Sequence, residues 1–366
     1  MNATGAIDLE DTEGLLTADR DGLLRAASSA GAQVRAVATA VQEGALDPLR
    51  VEDRPRSVIW VAGRGTAETA GVMLAATLGA VASQPFTLAA EAPPWMGPLD
   101  VLIVAGDDPA DPALVAAAAT GARRGARVVV AAPFEGPLRD ATAGRAAILA
   151  PRLGIPDEFG LCRYLAVGLA VLHAVDPRPS VDLGLLADEL DAEALRNSAA
   201  RELFTNPAKL LAARIADRQI ALAGDGAATL ALARHGSSVL LRVANQVIPA
   251  TGLADAVVGL RAAASSGLDD PDAALFHDEE IDGPLPQRLR VLAVILASEQ
   301  TLVAARTAGL DDVYLLAAED VPDGPGGAAG SGVSPALGGP GRAEQQLAVL
   351  AVRLEMAAVY MRLVRG

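Results

Sequence analysis

The sequence predicts an α/β protein with two doubly wound parallel sheets that carry helices on both faces. Two observations support this prediction. Short, continuous apolar runs rich in valine and isoleucine alternate with segments of helical periodicity, a pattern typical of parallel sheets covered on both faces. The alternation also occurs twice along the chain, and 366 residues are enough for two units with a core each.

The first copy of this pattern follows a region of helical spacing over residues 8–46. A proline between two arginines then breaks the helical pattern, and the first apolar run begins directly after it. The predicted elements are, in order, a strand over Ser57–Ala62 (SVIWVA), a helix over 67–78, a strand over Asp100–Ala105 (DVLIVA), a helix over Pro112–Arg124 and a strand over 126–132.

The second copy follows a helical connection over residues 177–201. Its predicted elements are a helix over 208–215, strands over 219–223, 238–243 and 312–316, a helix over 227–233, and a helix plus a strand within 286–306. Residues 321–342 are rich in glycine, proline and serine and predict a flexible loop. A closing helix over 343–364 docks on the second unit. We therefore expect domains at 1–175 and 206–366, joined by 176–205.

Composition excludes several classes of protein. Acidic residues outnumber basic ones 45 to 30, and a net charge of −15 argues against nucleic acid and anionic membranes as partners. The single cysteine, Cys162, rules out an internal disulfide and a thiolate cage. No apolar stretch reaches the roughly 20 residues of a membrane span, and residues 1–13 lack the features of a signal peptide. We expect a cytoplasmic protein without metal or cofactor.

Two turns follow predicted strands, where α/β sheets bind ligands. The first, Gly63-Arg64-Gly65-Thr66, resembles half of a dinucleotide fingerprint, but Glu68 stands where the third glycine belongs. Its small residues suit a loop that lets a phosphorylated ligand approach the backbone. A plain strand-to-helix turn explains them equally well.

The second turn, residues 106–111, contains Asp107, Asp108 and Asp111. An aspartate followed by proline is a common helix start, because the carboxylate caps free amide groups. Three aspartates could also bind a hard cation, although their spacing matches no calcium loop. Their negative charge disfavours phosphate.

The order of strands and turns resembles the SIS (sugar isomerase) fold. Within it, the chain is similar to the bifunctional phosphoglucose/phosphomannose isomerases of bacteria and archaea. The segments that carry the resemblance are SVIWVAGRGTAETAG, DVLIVAGDDPADPALVAAAATGARRGARVVVAA, TNPAKLLAARI, ALARHGSS and LEMAAVYMRLVRG. Together they span most of the chain, and Asn206-Pro207-Ala208-Lys209 matches most specifically. We expect Lys209 to be a helix-start residue rather than a catalytic amine.

The departures from this family affect its catalytic groups. The family's phosphate loop is rich in serine and threonine, whereas the corresponding turn of this chain, residues 106–111, contains three aspartates. The catalytic glutamate is missing, since residues 226–254 contain no Asp or Glu. Leu253-Ala254-Asp255-Ala256 replaces the motif of the ring-opening histidine. The resemblance therefore implies a sugar-phosphate-binding protein that has lost most of its catalysis and has a regulatory or interaction role in hexose-phosphate metabolism.

An alternative remains an active isomerase with a rearranged site, in which His277 opens the ring and Asp255 is the base. His235 is a further substitute base that the sequence offers. The resemblance implies a homodimer, a hexose phosphate as ligand and a possible protein partner. The predicted ligand-binding residues are Gly63, Arg64, Gly65, Thr66, Gly106, Arg234 and Arg242.

Overall fold

A computed structural model describes residues 7–50, 54–79, 82–177, 181–216, 218–265, 288–318 and 342–365. Its first sheet is parallel, with the strand order β2-β1-β3-β4-β5. The strands are β1 (Ser57–Ala62), β2 (Phe86–Ala89), β3 (Asp100–Ala105), β4 (Arg127–Ala131) and β5 (Ala146–Ile148). β1 and β3 are paired over their full length, from Ser57 opposite Asp100 to Ala62 opposite Ala105.

Helices precede this sheet and cover both of its faces. They are α1 (Thr12–Ala18), α2 (Leu23–Ala27), α3 (Ala30–Gln42), α4 (Thr66–Leu78), α5 (Pro112–Arg124), α6 (Gly136–Thr142) and α7 (Leu161–Val175). A single 3-10 turn, Asp157–Phe159, precedes α7 and is called the acidic turn below. The predicted helical region over residues 8–46 contains three separate helices, α1 to α3.

The second sheet is also parallel, with the order β7-β6-β8-β9. Its strands are β6 (Gln219–Gly224), β7 (Ala250–Gly252), β8 (Leu289–Val294) and β9 (Val313–Leu316). The helices of this half are α8 (Leu183–Arg196), α9 (Pro207–Ile215), α10 (Ala227–Ala244), α11 (Leu253–Ser265), α12 (Gln300–Thr307) and α13 (Ala343–Arg365). Two parallel sheets covered by helices confirm the predicted fold class.

One strand prediction is wrong. Residues 238–243 continue α10 rather than forming a strand. Val239, Leu240 and Val243 are buried at helical spacing, whereas the intervening Leu241 is half exposed. The helix ends only at Asn245, which adopts the left-handed conformation with φ 52°. Glycine and serines inside the helix resembled a break, but packing of the apolar face outweighs their weak local preference.

The closing helix α13 is buried along almost its whole length. Its apolar side chains belong to one hydrophobic core that also includes Trp60 and Val101 from the first sheet and Leu222 and Leu292 from the second. The helix therefore contributes to the packing of both sheets. The described residues include no helix that is both long and apolar enough to cross a membrane. Within the predicted loop over 321–342, residues 321–341 lie outside the described part of the chain.

Candidate functional site

The Gly63–Thr66 turn lies where the order of strands reverses, between β1 and β3. Ligands collect at such points in open α/β sheets. The Gly63 amide donates to the Ala105 carbonyl at 2.8 Å, and a Cβ on Gly63 would lie 3.6 Å from the Gly106 Cα. Gly65 has φ +90°, which only glycine adopts without strain. Helix α4 begins directly after Gly65, at Thr66.

A cleft of about 190 Å³ lies between the start of α4 and one face of α10, and we call it the α4–α10 cleft. Four of the predicted ligand residues line it, two from each half of the chain. The lining residues that matter for binding are Gly65, Thr66, Glu158, Arg234, His235 and Arg242. Pockets that enclose a drug-sized ligand usually measure about 300 Å³ or more, so a ligand bound here would remain partly in solvent.

The two arginines of the cleft differ in their surroundings. Arg242 Nη2 donates to Asp157 Oδ2 at 3.0 Å and to Glu158 Oε2 at 3.2 Å, both in the acidic turn. Burial raises the pKa of Asp157, but the ion pair with Arg242 outweighs it and holds that pKa below its ordinary value. Arg234 is exposed and forms no ion pair with any described residue. An incoming anion therefore meets Arg234 as a positive charge that no described residue neutralises.

The acidic turn also covers the beginning of α4. The Thr66 hydroxyl donates to the Asp157 carbonyl at 3.1 Å, and Gly160 would bring a Cβ to 3.4 Å from the same hydroxyl oxygen. The turn is therefore held between the first residue of α4 and Arg242 of α10. Asp157 and Glu158 therefore neutralise part of the Arg242 charge that would otherwise be available to a phosphate.

His235 lies at the base of the cleft and is almost completely buried. Its Nε2 is 2.8 Å from Oε1 of Glu355 on α13, which is also buried. Burial raises the pKa of Glu355, and the hydrogen bond to His235 opposes part of that rise. The imidazole is therefore held by a carboxyl group in the core.

The other predicted residues lie elsewhere. Gly63 and Gly106 directly follow the ends of β1 and β3 and do not line the cleft. The side chain of Arg64 is exposed and does not line it either. Asp255 is exposed on α11 and does not line the cleft either. His277 lies outside the described residues. The assignments of Asp255 and His277 as catalytic groups stay predictions.

Lys209 lies in the first turn of α9, and its Nζ donates to the carbonyls of Ala199 and Arg201, each at 2.8 Å. Both contacts are structural, and the side chain is fully buried. This environment fits the expected helix-start role.

The three aspartates of the second turn have separate partners. Asp111 Oδ1 caps α5 through the Ala113 amide at 2.8 Å, as the sequence predicts. Asp108 Oδ1 accepts from the Ala110 amide at 2.8 Å. Asp107 Oδ1 accepts from Arg163 Nη2 at 2.9 Å and from the Tyr164 hydroxyl at 2.7 Å. Among the described residues, no group of three or more His, Cys, Asp or Glu side chains is arranged to hold a metal ion.

Comparison of the whole chain with known proteins gives structural matches alone. No family model matches the sequence, and no curated protein matches it. A protein from Silicibacter pomeroyi, described provisionally as a phosphosugar isomerase, is 15% identical, with TM-score 0.60 over 94% of this chain and 98% of that one. Tagatose-6-phosphate ketose/aldose isomerase from Escherichia coli is 16% identical, with TM-score 0.54 over 100% and 94%.

The C-terminal domain of glucosamine-fructose-6-phosphate aminotransferase from Francisella tularensis is 12% identical, with TM-score 0.55 over 94% of this chain and 96% of that one. Each match covers nearly the full length of this chain and of the matched chain, so the structural similarity extends across both sheets. The chain has the SIS fold.

Proposed function

We propose that the protein binds a phosphorylated carbohydrate in the α4–α10 cleft. The observation that carries this proposal is the meeting of Gly65 and Thr66, from the turn after β1, with Arg234 and Arg242, from the other half of the chain, around one cleft. Proteins of the same fold are named for sugar phosphates, which supports this class of ligand.

Two features of the cleft suit a phosphate group. The beginning of α4 presents backbone amides and the positive end of a helix dipole. Each guanidinium offers several N–H donors in a planar fork that matches phosphate oxygens. Since Arg242 already binds Asp157 and Glu158, the ligand competes with these carboxylates for it. We therefore assign the larger share of phosphate binding to Arg234.

We further propose that the cleft does not isomerise its ligand efficiently. Aldose–ketose isomerisation needs a base that moves a proton between C2 and C1. Of the described groups in the cleft, Glu158 is bound to Arg242 and His235 to Glu355, while Glu68 is exposed at the rim. We propose that the protein then has a regulatory or interaction role in hexose-phosphate metabolism, as a homodimer in the cytoplasm.

Replacing both arginines tests the binding site. We expect Arg234→Ala combined with Arg242→Ala to weaken binding of fructose 6-phosphate at least about tenfold, because each charge-assisted hydrogen bond contributes about 1.5–3 kcal/mol. Isothermal titration calorimetry measures the affinity. Arg64→Ala is the matched control, since it removes an exposed arginine beside the same turn that does not line the cleft. Equal affinity of the double variant and the control would refute the site.

Catalysis is tested separately by an NMR time course of fructose 6-phosphate with near-stoichiometric protein purified from a host without isomerase. We expect the sugar signals to keep their intensities and to broaden on binding. Appearance of glucose 6-phosphate or mannose 6-phosphate would favour the active isomerase instead. His277→Asn, Asp255→Asn and His235→Asn would then show which group supplies the base.

A further inference from the structure

Apolar side chains are exposed on the loop that precedes β3. This loop reaches the amino end of the first sheet, where the Arg56 amide donates to the Leu99 carbonyl at 2.7 Å. Trp95 and Leu99 are 49% and 59% exposed, whereas Trp60, the other tryptophan of the chain, is buried. We define the tryptophan patch as the exposed apolar residues of this loop and the two arginines that contact it: Pro94, Trp95, Pro98, Leu99, Arg56 and Arg124. Adjacent exposed apolar residues, unlike scattered ones, mark interaction sites.

The tryptophan patch is a preformed surface. Met96, next to the exposed tryptophan, is buried in the core between the first sheet and α5. Arg124 Nη1 donates to the carbonyls of Pro94 and Met96, and Arg56 Nη2 donates to the Trp95 carbonyl at 3.0 Å. The two arginines thus bind three successive carbonyls of the loop. A partner that binds a preformed surface loses less free energy in ordering it.

The two arginines also give the patch a positive edge. Arg56 is paired with the buried Asp100, whereas Arg124 donates to backbone carbonyls alone and pairs with no described carboxylate. Residues 92–99 contain no charged side chain. Carboxylates of a partner can therefore approach Arg124 without meeting a like charge from the loop. Charge complementarity of this kind favours specific association.

The same charges argue against two other occupants. A second copy related by a two-fold axis would place the patch against itself, so the arginines of both copies would repel each other. Each copy would also bring its net charge of −15. A nucleic acid would need many cations to neutralise its phosphates, and the patch offers two guanidinium groups.

A short acidic segment of another protein fits the patch better. Its apolar side chains can cover Trp95 and Leu99, while its carboxylates reach Arg124. Tryptophan and arginine are the residue types that most often dominate the binding energy of protein interfaces. Such a segment brings few negative charges, so the charge of the whole chain opposes it less than it opposes a second copy.

We propose that the tryptophan patch is a docking site for a segment of another protein in which leucine or phenylalanine side chains are flanked by carboxylates. The patch lies at the amino ends of β1 and β3, whereas the Gly63–Thr66 turn follows the carboxyl end of β1. Docking therefore occurs at the opposite edge of the sheet from this turn and does not rest on the phosphate site in the α4–α10 cleft.

Fluorescence titration with the peptide acetyl-SDELFDELS-amide tests the patch. The peptide contains no tryptophan and Trp60 is buried, so a change in emission reports Trp95. We expect a saturable blue shift with a Kd below about 1 mM. The peptide SNQLFNQLS, in which amides replace the carboxylates, should bind at least about threefold more weakly. The peptide SDESGDESS, which lacks the apolar side chains, should cause no saturable shift.

Variants of the patch are compared with matched exposed residues elsewhere. Leu99→Ser should weaken binding of SDELFDELS at least about tenfold, whereas Leu302→Ser on α12 should leave it unchanged. Arg124→Gln should reduce the preference for SDELFDELS over SNQLFNQLS, whereas Arg25→Gln on α2 should preserve it. All four variants should keep the wild-type melting temperature and affinity for fructose 6-phosphate.

Several outcomes would overturn the proposal. One is the absence of a saturable shift at about 2 mM SDELFDELS. Another is equal affinity of wild type and folded Leu99→Ser, or an undiminished preference for the acidic peptide in Arg124→Gln. A blue shift that grows with protein concentration alone and disappears in Leu99→Ser would show that a second copy covers the patch. Binding of single-stranded oligothymidylate in place of the peptide would show a nucleic-acid site.

Discussion

Arg353→Met is expected to lower the free energy of unfolding by about 3–5 kcal/mol, because it leaves a buried carboxylate without its main partner. Arg353 of α13 is 1% exposed. Its Nε donates to Glu193 Oε1 on α8 at 3.0 Å, and its two Nη atoms donate to the carbonyls of Ala317 and Ala318 at 2.7 and 2.9 Å. Methionine fills much of the same volume but satisfies none of these three acceptors.

The matched control is Arg362→Met on the same helix. Arg362 pairs with Asp21 at the surface, where both side chains are about half exposed, and such pairs contribute about 1 kcal/mol or less. Urea unfolding at pH 7 compares the two variants. Equal losses would mean that the buried pair adds no more to stability than the exposed one.

The same ion pair predicts how the difference depends on pH. Burial raises the pKa of Glu193, but Arg353 and Arg196 outweigh that effect and hold the pKa below its ordinary value of 4.5. A carboxyl group whose pKa is lowered on folding stabilises the protein above its unfolded pKa and loses that contribution as the pH falls through the folded value. The difference in the free energy of unfolding between wild type and Arg353→Met should therefore become smaller below about pH 4.

The fold could be predicted largely from the sequence because its long strands are buried on both faces. Strands β1 and β3 appear as uninterrupted apolar runs, each followed by a turn. Strands β2, β5 and β7 have only three or four residues each, too few to show a pattern, and were not predicted. The error at residues 238–243 has a different cause, because apolar residues on the buried face of helix α10 were interpreted as a strand.

The candidate site could be predicted only in part. The glycine turn is local, so its conformation follows from adjacent residues. The contacts that modify the site are long-range: Asp157 and Glu158 approach Arg242 from more than 80 positions away. Asp107 likewise meets Arg163 and Tyr164 across 56 and 57 positions. The hydrophobic periodicity of the sequence does not predict such long-range pairs. An arginine inside an apolar helix, as at Arg163, does indicate a buried polar contact.

The turn between β6 and α10 provides the second large effect. A Cβ on Gly224 would lie 2.2 Å from the Leu230 amide nitrogen and 2.4 Å from the Thr229 carbonyl carbon. Both are backbone atoms of α10, so no side-chain rotation relieves the clash. Helix α10 would have to move away from the end of β6, and it carries Arg234, His235 and Arg242.

We therefore expect Gly224→Ala to cost about 3 kcal/mol or more, at the upper end of overpacking effects. It should also weaken fructose 6-phosphate binding in whatever fraction folds, because the arginines move with α10. Gly259→Ala is the control: this glycine is exposed in α11, and an added Cβ meets nothing within 4 Å. That change should stabilise the helix by about 0.5–1 kcal/mol. A stable Gly224→Ala variant with full affinity would show that the position of α10 against β6 does not determine the cleft.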